Sequence, residues 1–177
     1  MTTTADTFIT FAREIRNSTL AVLERAEEPW LLWTPPGMGN HLIWHAGHCL
    51  WVADVLIVEL LNGKSELPAG WMERFGMDSK PKLDQAPWPS RAEIAALLKQ
   101  QLPRLEDLLR NADPKLLEDQ RHPRTGEQGT GWSIVHALHD EARHTGEMYL
   151  LLKLCRTGKA TQKSHVSAAC ARDDTGR

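Results

Sequence analysis

Three side chains that can bind a metal ion, those of His136, Asp140 and His144, follow one another at intervals of four residues. The surrounding segment, 131–146, has the pattern of a long helix, in which residues at i, i+4 and i+8 project from one face. A divalent cation needs two or three lone-pair donors that converge on one point, and an i, i+4 pair supplies two of them. Because one helix cannot complete the coordination sphere, a further ligand must come from another part of the chain.

The candidate for this further ligand lies in the segment 40–48, where His41, His45 and His48 also have helical spacing. A helical projection places His48 on a face with apolar residues, Trp44, Trp51, Val52 and Val55. We therefore expect His48 to point into the protein. His41 lies at the start of the helix, where a capping or solvated histidine is the commoner outcome. Spacing alone does not decide whether His45, His48 or both would bind a metal.

An ordinary amphipathic helix is the alternative interpretation of the segment around His144. Opposite the polar face lies an apolar stripe, Ile134, Leu138, Ala142, Tyr149 and Leu152. On that interpretation the histidines and Asp140 are simply solvated. Leu151 falls within the polar face, however, as expected if both faces are covered. Glu141 is a rival of Asp140, because i, i+3 spacing with His144 also allows contact, and it could hydrogen-bond a ligand histidine.

The elements that would position these residues are helices. Hydrophobic periodicity predicts four long ones, over residues 5–27, 40–61, 90–111 and 132–155. Asn40 is the predicted N-cap of the second helix, and Ser90 begins a capping box for the third, in which Pro103 predicts a kink.

The fold class that follows is all-α. Residues 1–157 are predicted to form one four-helix bundle, in which a long connection, 63–90, separates the second and third helices and ligand sites lie between facing helices. Residues 158–177 are polar and aperiodic, which predicts a disordered tail.

Composition excludes several classes of partner. The chain has 177 residues, 41% of them hydrophobic, and a formal net charge of −2, which gives no reason to expect nucleic acid or an anionic membrane as a partner. No window reaches the roughly 18 apolar residues of a membrane span, and the first residues do not resemble a signal peptide. The three cysteines, Cys49, Cys155 and Cys170, form no CxxC pair, so we expect a cytoplasmic protein without disulfides.

Two motifs together resemble a known family. The segment 40–51, NHLIWHAGHCLW, and the pattern His136-x-x-x-Asp140-x-x-Arg143-His144-x-Gly146 look like the two signatures of the DinB/YfiT-like superfamily. That superfamily includes proteins described as metal-dependent hydrolases and the N-terminal domain of mycothiol-dependent maleylpyruvate isomerase. The resemblance covers about residues 5–155.

The resemblance implies a ligand set. In the family, a histidine of the second helix and two residues four apart on the last helix bind a divalent metal, which by position are His48, Asp140 and His144. Many members have histidine at the position of Asp140, whereas the isomerase branch has a glutamate, so a carboxylate is a variation within the family. His136 corresponds to a frequent histidine that is not normally a ligand.

Two imidazoles and one carboxylate leave coordination positions open, as in catalytic rather than structural metal sites. The resemblance then implies a metal-dependent enzyme, a low-molecular-weight-thiol S-transferase or a hydrolase, with Zn or Ni favoured over Fe or Mn. His45 and Glu141 are the candidates for acid–base catalysis, and Trp44 and Trp51 for pocket walls.

The implied partners are a small-molecule thiol or electrophile and a second copy of the chain, as a homodimer. The alternative function is a non-catalytic, stress-associated helical bundle with a structural metal or none.

Overall fold

The computed structural model describes the backbone of residues 1–79 and 87–170, and the side chains of these residues except 125 and 159–170. The protein is 72% helical, and its described part contains no strand. The all-α prediction is confirmed.

The helices follow one another along the chain as α1 (Thr4–Arg25), α2 (Leu42–Ala53), α3 (Leu60–Asn62), α4 (Trp71–Phe75), α5 (Arg91–Asn111), α6 (Pro114–Glu118) and α7 (Thr130–Cys170). A π-helical segment, Asp54–Glu59, joins α2 to α3, so that the helical path is continuous from Leu42 to Asn62. The helix α4 lies within the long connection that precedes α5.

The N-terminal cap predicted for α5 is confirmed, whereas the one predicted for α2 is wrong. Ser90 and Glu93 form the predicted capping box of α5, and Pro103 does not interrupt that helix, whose kink stays a prediction. The N-cap of α2 is His41 rather than Asn40, since His41 Nδ1 accepts a hydrogen bond from the Trp44 amide at 3.1 Å.

The predicted end of the last helix near Cys155 was wrong, because α7 continues through Gly158 to Cys170. A single glycine lowers helix stability by about 1 kcal/mol relative to alanine but does not force a stop. Residues 171–177 of the predicted tail lie outside the described residues, and the division at residue 157 stays a prediction.

The long helices bury two apolar clusters between them. Helix α1 packs against α5 and α7, and α2 packs against α7 and α5. One cluster includes Trp44, Leu50, Leu98 and Met148, and the other includes Phe8, Ile57, Leu105 and Ile134.

The segment Leu42–Asn62 is long and apolar enough to cross a membrane, which corrects the expectation that no window of the chain is. Because 78% of its apolar window is buried inside the protein, it has the position of a core helix in a soluble helical domain.

A buried polar network ties the helices together. Arg16 of α1 is 1% exposed and donates from Nε and Nη2 to the two carboxylate oxygens of Glu141, at 2.8 and 2.9 Å. Its remaining contacts are the Leu98 carbonyl and the side chain of Gln101, which itself donates to the Leu50 carbonyl at 3.1 Å. The network therefore joins α1, α2, α5 and α7 and fixes the rotation of α7 next to Asp140.

We expect Arg16→Met to lower the free energy of unfolding by about 3–5 kcal/mol, because it leaves the Glu141 carboxylate buried without its counter-charge. Arg13→Met is the matched control: Arg13 pairs with Glu106 with its own side chain 51% exposed, and its loss should cost less than about 1 kcal/mol. Urea unfolding followed by circular dichroism measures both, and the double variant Arg16→Met, Glu141→Met should recover much of the loss. Equal costs at the two positions would contradict this account of the network.

Candidate metal centre

His48 is held with one ring nitrogen free to act as a ligand. Its Nδ1 lies 2.6 Å from the carbonyl oxygen of Phe75, and since a carbonyl can only accept, Nδ1 carries the hydrogen. In the neutral ring Nε2 is then an unprotonated lone-pair donor. The ring is buried and stacks on Trp44, with centroids 4.7 Å apart and planes at 16°.

The position of Phe75 depends on a close approach between α2 and α4. Gly47 presents its bare backbone to the Phe75 ring, and a Cβ there would clash with the ring. The Trp71 indole also donates to the Gly47 carbonyl, at 3.0 Å. Glycine at position 47 therefore allows α4 to reach the residue next to it, His48.

Asp140 and His144 of α7 complete a group of three donors. Asp140 Oδ2 lies 3.4 Å from His48 Nε2 and 3.4 Å from His144 Nε2, and one ligand atom from each residue lies within 4.8 Å of the others. Asp140 Oδ2 is buried and has no hydrogen-bond partner among the described residues. A buried carboxylate oxygen without a donor is costly, which is the situation a bound cation would relieve.

The separations suit a small divalent cation. For bonds of about 2.1 Å, the edge of a tetrahedron of ligands is about 3.4 Å, as found between Oδ2 and both imidazole nitrogens. The shorter reach of aspartate, compared with glutamate, therefore does not keep Asp140 from the two histidines.

The protonation states of Asp140 and His144 at neutral pH also favour the binding of a cation. Burial raises the pKa of Asp140, but the interaction with the His48 side chain, together with the positive charges that His144, His48 and His136 carry when protonated, outweighs it, so that the pKa lies below its usual value. Burial is the main cause of a lowered pKa at His144, and the carboxylate of Asp140 opposes it. The carboxylate is thus ionised and the imidazole neutral, the forms that bind metals.

His144 has polar partners on its other nitrogen. Its Nδ1 lies 3.0 Å from Glu147 Oε2 and 2.8 Å from His45 Nδ1. Glu147 Oε2 is also 3.2 Å from His45 Nδ1. If His144 Nδ1 carries the hydrogen and donates it to Glu147, Nε2 keeps its lone pair and faces Asp140. Metal-binding histidines commonly donate their other ring N–H to a carboxylate in this way.

Glu147 was missed from the sequence, although its i, i+3 spacing from His144 was a signal for it. Together with His45 and His144, Glu147 forms a second group of side chains that could hold a cation. His45 itself is buried, and burial, followed by the neighbouring histidines, lowers its pKa to about 3.

Three other candidates lie elsewhere. Glu141 is not brought to the triad, because its carboxylate is taken by Arg16 and by the Thr19 hydroxyl, which donates at 2.9 Å. His136 stacks on Trp132, with centroids 4.8 Å apart, one turn from Asp140. His41 is the buried cap of α2, and burial lowers its pKa to about 4.

A cavity of about 480 Å³ opens beside the triad. As predicted, Trp44 and Trp51 line it, and Trp132 of α7 adds a further aromatic wall. Val55 and Leu56, from the π-helical segment, also line it, in keeping with the frequent occurrence of π segments at functional sites. The triad is thus reached from an aromatic cleft, which a small organic molecule can occupy.

We expect Gly47→Ala to displace Phe75 and, with it, the carbonyl that orients His48. The substitution should cost about 1–3 kcal/mol of stability through overpacking and weaken metal affinity about 10- to 100-fold through the lost orientation of the ligand. Thermal unfolding and a competition titration with a chromophoric chelator measure the two effects.

Gly146→Ala is the control, because a Cβ at Gly146 of α7 meets no atom within 4 Å. It should leave metal affinity unchanged and stabilise the helix by up to about 1 kcal/mol. Wild-type affinity in Gly47→Ala would show that the Phe75 carbonyl does not position His48.

Comparison with solved structures supports the fold. A crystal structure described as the conserved protein of locus from Enterococcus faecalis matches with a TM-score of 0.59 and 18% sequence identity, over 85% of this chain and 96% of that chain. At this identity the likeness concerns the fold alone. Among curated proteins none matches significantly.

Comparison with protein families is more specific. The sequence profile described as the DinB superfamily matches residues 12–148, a span that contains His48, Asp140 and His144 and more than half of the chain. The chain belongs to the DinB superfamily.

Proposed function

We propose that the protein is a metal-dependent enzyme that uses a divalent cation held by His48, Asp140 and His144 to activate a small thiol or a water molecule. The observation that carries the proposal is the buried Oδ2 of Asp140, which lies 3.4 Å from each of two imidazole nitrogens and has no hydrogen-bond partner among the described residues. Membership of the DinB superfamily, where a metal at this position is expected, supports it.

The donor set favours zinc or nickel over iron or manganese. Two imidazoles and one carboxylate are ligands of intermediate softness, which suit zinc and nickel, whereas manganese prefers sets richer in oxygen. When bound, such a cation lowers the pKa of a thiol or water in its open coordination positions and so supplies a nucleophile at neutral pH.

The protein's own residues would hold and shield this centre. Phe75 orients His48 through its carbonyl, and Glu147 with His45 orients His144. The tryptophans of the cavity provide apolar walls that reduce access of bulk water to the reacting groups. His45 stays the candidate for acid–base catalysis, whereas Glu141 is engaged by Arg16.

We further propose that a small-molecule thiol or electrophile binds in the cavity, and that the protein is a homodimer in the cytoplasm. Cys49 is a free, buried thiol, which supports a reducing compartment.

Metal analysis of protein purified without a histidine tag tests the ligand set. We expect about one divalent ion per chain in the wild type and its loss in His48→Ala, Asp140→Ala and His144→Ala, since each removes one of the three proposed donors. His136→Ala, which alters a cavity wall, and His139→Ala, which alters an exposed residue, are the controls and should keep the ion. Unchanged stoichiometry in the three ligand variants would reject the assignment.

Removal of the ion with EDTA separates an enzyme from a protein with a structural metal. The apolar clusters and the Arg16 network do not depend on the ion, so we expect little loss of helical circular dichroism and a small shift in Tm. Thiol-dependent conversion of an electrophile, or hydrolysis of an ester or amide, should disappear and return with added Zn²⁺ or Ni²⁺. Loss of the fold with EDTA, together with no turnover, would favour a non-catalytic bundle with a structural metal.

A further inference from the structure

An exposed arginine on the wall of the cavity has no counter-charge in the part of the chain that the structure describes. Arg143 of α7 lines the cavity and forms no hydrogen bond or ion pair with any residue that the structure describes. The acidic groups at i−3 and i+4 from it on α7 are Asp140 and Glu147, and both are directed to histidines, at 3.4 and 3.0 Å respectively. Glu141, two residues before it, is bound by Arg16. By contrast, Arg16 of α1 has a partner for each of its three nitrogens.

The charges around the cavity favour an anionic ligand. A divalent cation bound by His48, Asp140 and His144 would keep a net charge of about +1 after the one carboxylate is counted, and Arg143 adds a second positive charge on the cavity wall. Cavities lined by one sign of charge concentrate ligands of the opposite sign. A guanidinium is also the side chain best suited to bind a planar carboxylate through two parallel hydrogen bonds.

The remaining walls favour an apolar or aromatic body on the same ligand. Trp51 of α2 and Trp132 of α7 line the cavity, together with the aliphatic side chains of Val52 and Val55. Trp132 is already packed face to face with His136, at an interplanar angle of 9°, which keeps its ring in place. Flat apolar walls bind flat or aliphatic groups, and an arginine on the wall adds selection by charge.

We propose that Arg143 is the specificity-determining residue of this cavity and binds the carboxylate of a small organic acid. The apolar body of the acid packs on the tryptophans, and in a thiol acid the sulfur faces the triad. This inference rests on the proposed function in assigning the cavity as the substrate site. It names the substrate class as a carboxylate-bearing thiol or acceptor rather than a neutral one.

Ligand binding to the metal-free protein isolates the role of Arg143 from that of the cation. Titration with benzoate and with benzamide, followed by tryptophan fluorescence, should show benzoate binding about tenfold more tightly, because only the carboxylate accepts hydrogen bonds between two charged groups from the guanidinium. In Arg143→Gln the preference for benzoate should vanish, and Arg143→Lys should restore it in part, since it keeps the charge but not the paired donors.

The matched control is Arg156→Gln, which changes an exposed arginine of the same helix that does not line the cavity. It should keep the preference for benzoate. Equal affinities for benzoate and benzamide in the wild type, or the same preference in Arg143→Gln as in the wild type, would overturn the proposal.

A second titration uses the Co²⁺-loaded protein with 3-mercaptopropionate and its amide, and follows the sulfur-to-cobalt absorption band. We expect the acid to bind about tenfold more tightly, and Arg143→Gln to remove the difference. If Co²⁺ does not bind while metal-free protein still selects benzoate through Arg143, the metal-dependent function is wrong and the carboxylate site stands. If Co²⁺ binds but the thiol acid and its amide are equivalent in both proteins, the metal site stands and the role of Arg143 is wrong.

Discussion

The candidate centre depends on one constraint: three atoms with lone pairs lie close together in the protein interior, and no hydrogen bond joins them. The carbonyl of Phe75 takes the hydrogen of His48 Nδ1, so that Nε2 faces the Asp140 carboxylate as a second acceptor. His144 Nε2 also lies 3.4 Å from this oxygen. Two acceptors held together away from water repel each other unless a proton or a cation lies between them. Burial lowers the pKa of His144, which disfavours a proton on that ring.

Two neighbouring acidic residues on α7 have different roles because each one faces a different helix. Glu141 turns toward α1 and is neutralised by Arg16 within a network that reaches α2 and α5. Asp140 is rotated by about 100° from it and turns toward α2 and the cavity. The buried ion pair therefore fixes the rotation of α7, and this rotation directs Asp140 and His144 to His48.

Local periodicity was sufficient for the parts of this arrangement that repeat along a helix. It predicted the long helices, the interior position of His48 and the shared face of Asp140 and His144, because i, i+4 neighbours must lie together on any helix. Resemblance to a family then selected His48 rather than His45 as the partner from α2, and the structure brings the three residues together.

The remaining features depend on tertiary contacts that no local pattern contains. The pairing of Glu141 with Arg16 joins residues far apart in the chain, so its i, i+3 spacing from His144 was misleading. The place of Phe75 behind His48 depends on Gly47, whose missing Cβ admits α4. The length of α7 was underestimated because Gly158 was taken as a stop.

The X-ray absorption spectrum of the untagged protein, at the edge of its bound metal, tests the central claim most directly. We expect a first shell of nitrogen and oxygen at about 2.0–2.2 Å, with the multiple-scattering pattern of two imidazoles, and no bound-metal edge from Asp140→Ala prepared in the same way. Absence of a stoichiometric metal, a sulfur ligand from the protein, or a first shell without imidazole scattering would contradict it.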